Sequence, residues 1–333
     1  MLAELLKTRP VLLADGATGT NLFEMGLTSG DAPEQWLELH PDRIKLLHQQ
    51  FVDAGADIIL TNSFGCNARR LMLHNMQDRT RELNRIAASL ARDVADKAGR
   101  PVVVAGSVGP TGDLFVPLGI LTEEDAVDVF VEQMEGLKAG GADVLWIETM
   151  SALEEMHAAA LAAAHVGMPF VITASVDTAG RTMMGITPAA LAEFYGDIKP
   201  TPLAGGANCG VGASDTLAAI LTMTETRPDQ IIIAKGNAGM PTLVGTHVHY
   251  SGTPETMAAY VHLAIDAGAR IIGGCCGTSP AHLAAMRKAI DTHVMGARPT
   301  LEEIVARTGA FAAPPVKPPS QPRETNRRRS QRD

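Results

Sequence analysis

Eight short apolar runs, each followed by a helix-patterned segment, constrain this chain more than any other feature. They are VLLAD (11–15), ADIILTN (56–62), PVVVAGS (101–107), DVLWIET (143–149), PFVITAS (169–175), PLAGGAN (202–208), QIIIAKG (230–236) and ARIIGGC (269–275). Most are continuously apolar rather than alternating, as expected of parallel strands covered on both faces. Helical patterning fills 41–54, 78–98, 122–139, 151–166, 187–195, 213–225, 254–267 and 280–293. Several of these open on Ser or Thr ahead of Pro or acidic residues, as in TEEDAV, TPAAL and SPAHL, which are helix start signals. Eight such units within about 290 residues predict a single (β/α)8 TIM barrel, of the α/β class, with its active site at the C-terminal ends of the strands. A doubly wound open sheet is the alternative. No GxGxxG follows the first strand, so nothing supports a dinucleotide site.

The barrel is expected to occupy residues 1–296. Beyond it the βα pattern stops, leaving a C-terminal extension over 297–333. From about residue 312 that extension is rich in Pro and Arg and has little to bury, so it reads as disordered. A net charge of −9 speaks against nucleic acid or an anionic membrane as partner. The N-terminus MLAELLKTRP has no long apolar core of a signal peptide, and no apolar run approaches the roughly 18 residues that span a bilayer. Four cysteines in 333 residues are not a disulfide framework; they suggest a reducing compartment and metal or catalytic use. A cytoplasmic location is the expectation. Met183, Met184 and Met223 are read as core filler.

Laid on a barrel, Asp15, Asn62, Ser107, Glu148, Asn208 with Cys209, and Cys275 with Cys276 all fall at C-terminal strand ends, which share one rim. The adjacent pair Cys275–Cys276 is a poor disulfide, because neighbouring Cα atoms sit about 3.8 Å apart and disulfides ask for roughly 4.4–6.8 Å. Strands six and eight of a closed barrel are separated by one neighbour, so Cys209 can face Cys275 and Cys276. Three thiolates without an evident fourth ligand are the layout of a catalytic zinc site with an open position, and soft sulfur ligands favour zinc over harder metals. Glycines 273, 274 and 277 are expected to bend the backbone so that both sulfurs reach one ion. Three inert core cysteines remain the alternative. Cys66 is read as a buried bystander, and His247 with His249 as a histidine-bearing surface loop rather than a metal site.

The stretches LLADGATGTNL, DIILTNSFG, VAGSVGPTGDL, IETM, GANCG, KGNAGMP and IIGGCCGTSPAHL together resemble the homocysteine S-methyltransferase family. That family includes betaine–homocysteine methyltransferase, the homocysteine-binding domain of cobalamin-dependent methionine synthase, and S-methylmethionine-dependent enzymes. The resemblance runs in order from about residue 9 to 293, and its paired cysteine motifs are highly specific. It implies a (β/α)8 barrel with one Zn2+ held by Cys209, Cys275 and Cys276, which also form the catalytic centre. It further implies that Asp15 and Glu148 hold the amino group of homocysteine. Asn208 and Asn237 would stand beside metal and substrate, and backbone N–H groups from Ser107 to Gly109 would face the substrate carboxylate. A free thiol, with a pKa of about 8.5, is only a few per cent ionised at neutral pH, so a metal that holds the thiolate is what such chemistry requires.

The methyl donor is left open between glycine betaine and a methylcorrinoid, with S-methylmethionine ranked below both. The matching stretches are aromatic-poor, with Gly65 after Phe64 and Thr149 after Glu148, unlike a site built for a quaternary ammonium. A corrinoid would then come on a separate protein. For betaine, Trp36, Phe64, His247 or Tyr250 would line the donor site. Methyl transfer to another small thiol and a non-catalytic zinc-binding barrel subunit complete the alternatives.

Overall fold

The computed structural model describes residues 1–312 apart from 178 and 245–246, with backbone alone for 243, 244 and 247–249. Eight parallel strands build the sheet: β1 (Leu12–Leu13), β2 (Ile58–Leu60), β3 (Val103–Val108), β4 (Val144–Met150), β5 (Phe170–Ala174), β6 (Gly205–Cys209), β7 (Ile232–Gly236) and β8 (Ala269–Gly274). Their order is β1-β8-β7-β6-β5-β4-β3-β2. The ends meet through an Ala14–Ile58 bridge, with Asp57 N–H donating to Leu13 O at 2.7 Å and Asp15 N–H to Ile58 O at 3.0 Å. This sequential, closed order is a (β/α)8 barrel and excludes the doubly wound sheet.

The continuous apolar runs have a simple cause. In β2, Ile58 and Leu60 point into the barrel while Ile59 points to the helices; in β4, Val144 and Trp146 point in while Leu145 and Ile147 point out. Both faces are dry, so both parities must be apolar. The eight expected helices appear as Pro41–Asp53, Thr80–Ala95, Glu123–Ala139, Leu153–Val166, Pro188–Asp197, Ala213–Thr226, Pro254–Asp266 and Pro280–Asp291. Thr122 and Thr187 cap theirs, accepting from Asp125 and Ala190 N–H.

Three features depart from the sequence reading. Helix Leu2–Thr8 plugs the N-terminal mouth, where Leu2, Leu5 and Leu6 join the inward-facing strand residues. Arg270 fastens it by donating to the carbonyls of Leu6, Arg9 and Pro10. The extension holds a helix that the sequence reading did not place: Leu301–Thr308, with a Thr300–Glu303 capping box, buries Ile304. Ser214 donates to Gly309 O at 2.6 Å. A single amphipathic helix outside the βα rhythm carries no repeat to announce it. The expected disorder over 313–333 lies outside the described residues. Finally, Met223 is buried, but Met183 and Met184 are 71% and 44% exposed on the loop after β5 and are not core filler.

The plug makes a prediction. Leu6→Ala should cost about 2–4 kcal/mol of stability and lower the melting temperature by several degrees, with metal binding at the opposite mouth unchanged. Calorimetry on wild type and variant measures it; an unaltered melting temperature would mean that the helix is an appendage.

Candidate active site

β6 ends at Cys209, whose φ of +59° puts a non-glycine residue in the left-handed region. β8 ends at Gly274, and Cys275–Cys276 form the turn that follows, closed by Thr278 N–H donating to Cys275 O at 3.1 Å. Gly277, at φ +78°, supplies the bend. Gly274 serves packing instead, since a Cβ there would lie 2.3 Å from the Thr278 side chain. Neighbouring backbone pins the turn. Cys275 N–H donates to Gly236 O at 2.8 Å, and Ala238 N–H donates to Cys276 O at 2.9 Å.

The three sulfurs converge. Their Sγ atoms all lie within 4.8 Å of one another, and those of Cys209 and Cys276 are 4.0 Å apart. Among the described residues no histidine or carboxylate joins this group. A tetrahedral zinc with bonds of about 2.3 Å asks for sulfurs roughly 3.8 Å apart, so the donors fit within a few tenths of an ångström for that pair. The three thiols act on one another: hydrogen bonds to Cys275 and Cys276 push the Cys209 thiol up, while those from Cys209 and Cys275 draw Cys276 down. All three are half-buried, as a site that admits substrate requires.

Beneath the sulfurs lies a polar layer. Ser107 of β3 donates its hydroxyl to Glu148 of β4. Asp15, just past β1, accepts Leu60 N–H on Oδ2 at 2.7 Å and the Lys235 ammonium of β7 on Oδ1 at 2.9 Å. Burial is the main cause of a Glu148 pKa pushed up to about 7. Burial also raises Asp15, against the pull of Lys235. Burial alone would lower Lys235, but Asp15 and Glu148 facing it raise it instead. Lys235 escaped the sequence reading. The signal was present, because a lysine one residue from the end of a buried strand must find an anion.

Asn208 and Asn237 stand beside the cysteines, fully engaged with protein. Asn208 accepts Thr149 N–H at 2.9 Å and the Thr173 hydroxyl at 2.7 Å, and its Nδ2 lies 2.7 Å from Thr149 Oγ1 and 3.8 Å from Cys275 Sγ. It thereby holds Thr149, a second left-handed non-glycine residue at φ +62°. Strain of this kind persists only where surroundings over-determine it. Asn237 bridges both cysteine-bearing loops, accepting Cys276 N–H at 3.0 Å and donating to Gly210 O at 2.9 Å.

Other expected residues behave differently. Ser107 N–H donates to Thr61 Oγ1 at 2.9 Å and Gly109 N–H to Phe64 O at 3.1 Å, so neither faces a ligand. Asn62 holds Pro33 O. Cys66 is fully buried in the outer core, and burial raises its thiol well above the usual range. The Trp36 ring is covered by the Arg43 guanidinium, 4.9 Å from its centroid, and is itself buried. Phe64 is partly exposed at the rim. Tyr250 packs against the cysteine turn, where a Cβ on Gly277 would lie 2.4 Å from its ring. The side chains of His247 and His249 lie outside the described residues.

Comparison with known proteins agrees with this geometry. The profile of the homocysteine S-methyltransferase family matches residues 12–290. The methionine synthase of Mycobacterium tuberculosis is 30% identical over 298 residues, covering 84% of this chain and 24% of that protein. Its Mycobacterium leprae counterpart is 31% identical over 307 residues, covering 86% and 25%. The chain thus spans about a quarter of the length of these curated relatives. The Escherichia coli homocysteine methyltransferase MmuM, in its metallated form, superposes with a TM-score of 0.73 at 25% identity, covering 86% of this chain and 99% of that one. With the family profile spanning all eight strands and the three cysteines gathered at the barrel mouth, this chain belongs to the homocysteine S-methyltransferase family.

Proposed function

We propose that this chain is a zinc-dependent homocysteine S-methyltransferase that forms methionine, built on a catalytic barrel of residues 1–296. The observation that carries this reading is the cluster of Cys209, Cys275 and Cys276 above a floor of ionisable residues. A zinc ion held by these three thiolates would supply Lewis acidity at its open position, keeping the homocysteine sulfur ionised at neutral pH. The chain's own residues do the rest. Glu148, oriented by Ser107, and Asp15 receive the substrate ammonium. Asn208 and Asn237 hold the cysteine-bearing loops in register, so that the sulfur is presented in line with the incoming methyl group.

For the donor, we favour a methylcorrinoid. The loops after β3, β5 and β7 expose Leu114, Val116, Leu118, Ile120, Met183, Met184 and Met240, an apolar collar suited to a large partner. Glycine betaine is the second reading, supported by Tyr250 against the cysteine turn and Phe64 at the rim. The expected result is methionine from zinc-loaded protein, homocysteine and methylcobalamin, with betaine and S-methylmethionine inactive in parallel. Methionine and dimethylglycine from betaine alone would reverse the choice of donor. A non-catalytic zinc barrel predicts a four-ligand metal whose X-ray absorption ignores homocysteine, whereas an enzyme should go from three sulfurs to four.

A further inference from the structure

We propose that His282 is a positioning residue: it closes a ring of hydrogen bonds that locks a hairpin at the barrel mouth onto the cysteine turn, and so slows the escape of the metal ion. The ring belongs to the fold alone; what the turn holds rests on the zinc reading above.

An antiparallel hairpin, Pro241–Val244 with His247–Tyr250, leaves the barrel after β7. It is braced on both cysteine-bearing loops. At its entry, Met240 Cγ lies 3.8 Å from where a Cβ on Gly212, in the loop after Cys209, would stand. At its exit, the Tyr250 ring lies against Gly277, in the turn that holds Cys275 and Cys276. The hairpin thus touches both halves of the ligand set. How firmly it is seated decides how easily the ion is reached from solvent.

The seating runs through a chain of hydrogen bonds. Ala238 N–H donates to Cys276 O at 2.9 Å, and Gly252 N–H donates to Ala238 O at 2.8 Å. Gly252 O lies 2.9 Å from His282 Nε2, and Ser279 N–H donates to His282 Nδ1 at 3.2 Å. Thr278 and Gly277 lead from Ser279 back to Cys276 and close the ring. A carbonyl only accepts, so Nε2 carries the imidazole proton and Nδ1 is free to accept from Ser279. The Ser279 hydroxyl, 2.7 Å from the same Nδ1, fits that tautomer as a second donor. His282 supplies the one side chain of the ring, and every other member is backbone.

His282 is the third residue of helix Pro280–Asp291, where its ring completes a capping box with Ser279. That position is ordinarily filled by Glu or Gln, and a carboxylate would cap the helix as well. What a carboxylate cannot do is donate to Gly252 O. The histidine therefore offers more than the helix start requires, and the extra nitrogen is the one that reaches the hairpin.

Three variants separate the two bonds. His282→Ala removes both, and His282→Glu keeps the cap while losing the link. His282→Gln restores both kinds of bond, with an amide oxygen for Ser279 N–H and an amide NH2 for Gly252 O. Amide hydrogen exchange at Ala238 and Gly252 in metal-free protein reads the ring without the ion. The rate at which zinc-loaded protein yields its zinc to EDTA reads the consequence. Both should rise about 10-fold in His282→Ala and His282→Glu, the scale of one hydrogen bond. In His282→Gln both should stay within about threefold of wild type. Exchange at Ile172 in β5 should be unchanged throughout, and the melting temperature of His282→Glu should remain within about two degrees of wild type.

If His282 serves only to start its helix, His282→Glu matches wild type in both readouts and the proposal fails. It fails too if exchange quickens at Ile172 as much as at Gly252, because the loss is then one of general stability. Faster exchange with unchanged zinc release would refute the guarding of the ion. A wild-type protein that holds no zinc would instead overturn the zinc reading, and the exchange comparison would still decide whether His282 locks the hairpin.

Discussion

Replacing Cys209, Cys275 or Cys276 by Ala is expected to abolish bound zinc and methyl transfer together while leaving the barrel folded. Three sulfurs within 4.8 Å of one another are the whole ligand group among the described residues, so one deletion leaves two ligands and no catalytic site. Activity should fall by about 1,000-fold or more, because the loss removes both thiolate formation and the positioning of the sulfur. Stability should change little by comparison. The three residues are half-buried at strand ends, outside both the barrel interior and the strand–helix layer. Metal analysis, methionine formation and thermal melting on each variant measure the three effects. Stoichiometric zinc in any of them would refute the ligand set. Cys66→Ser is the control: it lies in the outer core, and it should leave zinc content and methyl transfer intact.

Glu148→Gln is expected to weaken the use of homocysteine by about 10- to 100-fold, the scale of a charge-assisted hydrogen bond of about 1.5–3 kcal/mol. Donor saturation should be unaffected. The wild-type pH profile should carry the same signature. Burial pushes Glu148 up to about 7, and only the ionised carboxylate pairs with an ammonium. Activity toward subsaturating homocysteine should therefore fall as pH drops through that value, by nearly tenfold per unit once Glu148 is protonated. In Glu148→Gln this fall should vanish and leave a flat profile. Unchanged homocysteine dependence with impaired donor use would reverse the assignment.

Much of the site was legible in the chain because barrels gather it in a regular way. Residues at the C-terminal ends of successive strands share one rim whatever the helices between them do. Hence Asp15, Ser107, Glu148, Asn208, Cys209 and Cys275 could be placed together from their positions alone. Their individual roles were less legible. The Ser107 and Gly109 amides looked available to a ligand, yet donate to Thr61 Oγ1 and Phe64 O. Trp36 looked like an aromatic wall for a cation, yet Arg43 already covers its ring. In each case a partner from another element had claimed the group, and a linear pattern does not record long-range partners.

What the sequence determined by itself is the periodic part: eight buried strands, the helices that cover them, and a cysteine set whose spacing fits a soft metal at one mouth. These follow from alternation, capping and ligand chemistry, all local or strictly repetitive. Tertiary structure alone decided the rest. It plugged the barrel floor with Leu2–Thr8, docked Leu301–Thr308 on the outer helices, left Met183 and Met184 on the rim, and tied Lys235 to Asp15 across 220 residues. Each of these depends on which surfaces remain uncovered, or which buried charge lacks a counter-ion, once the strands have closed. That is a property of the closed barrel, absent from any one segment of the chain.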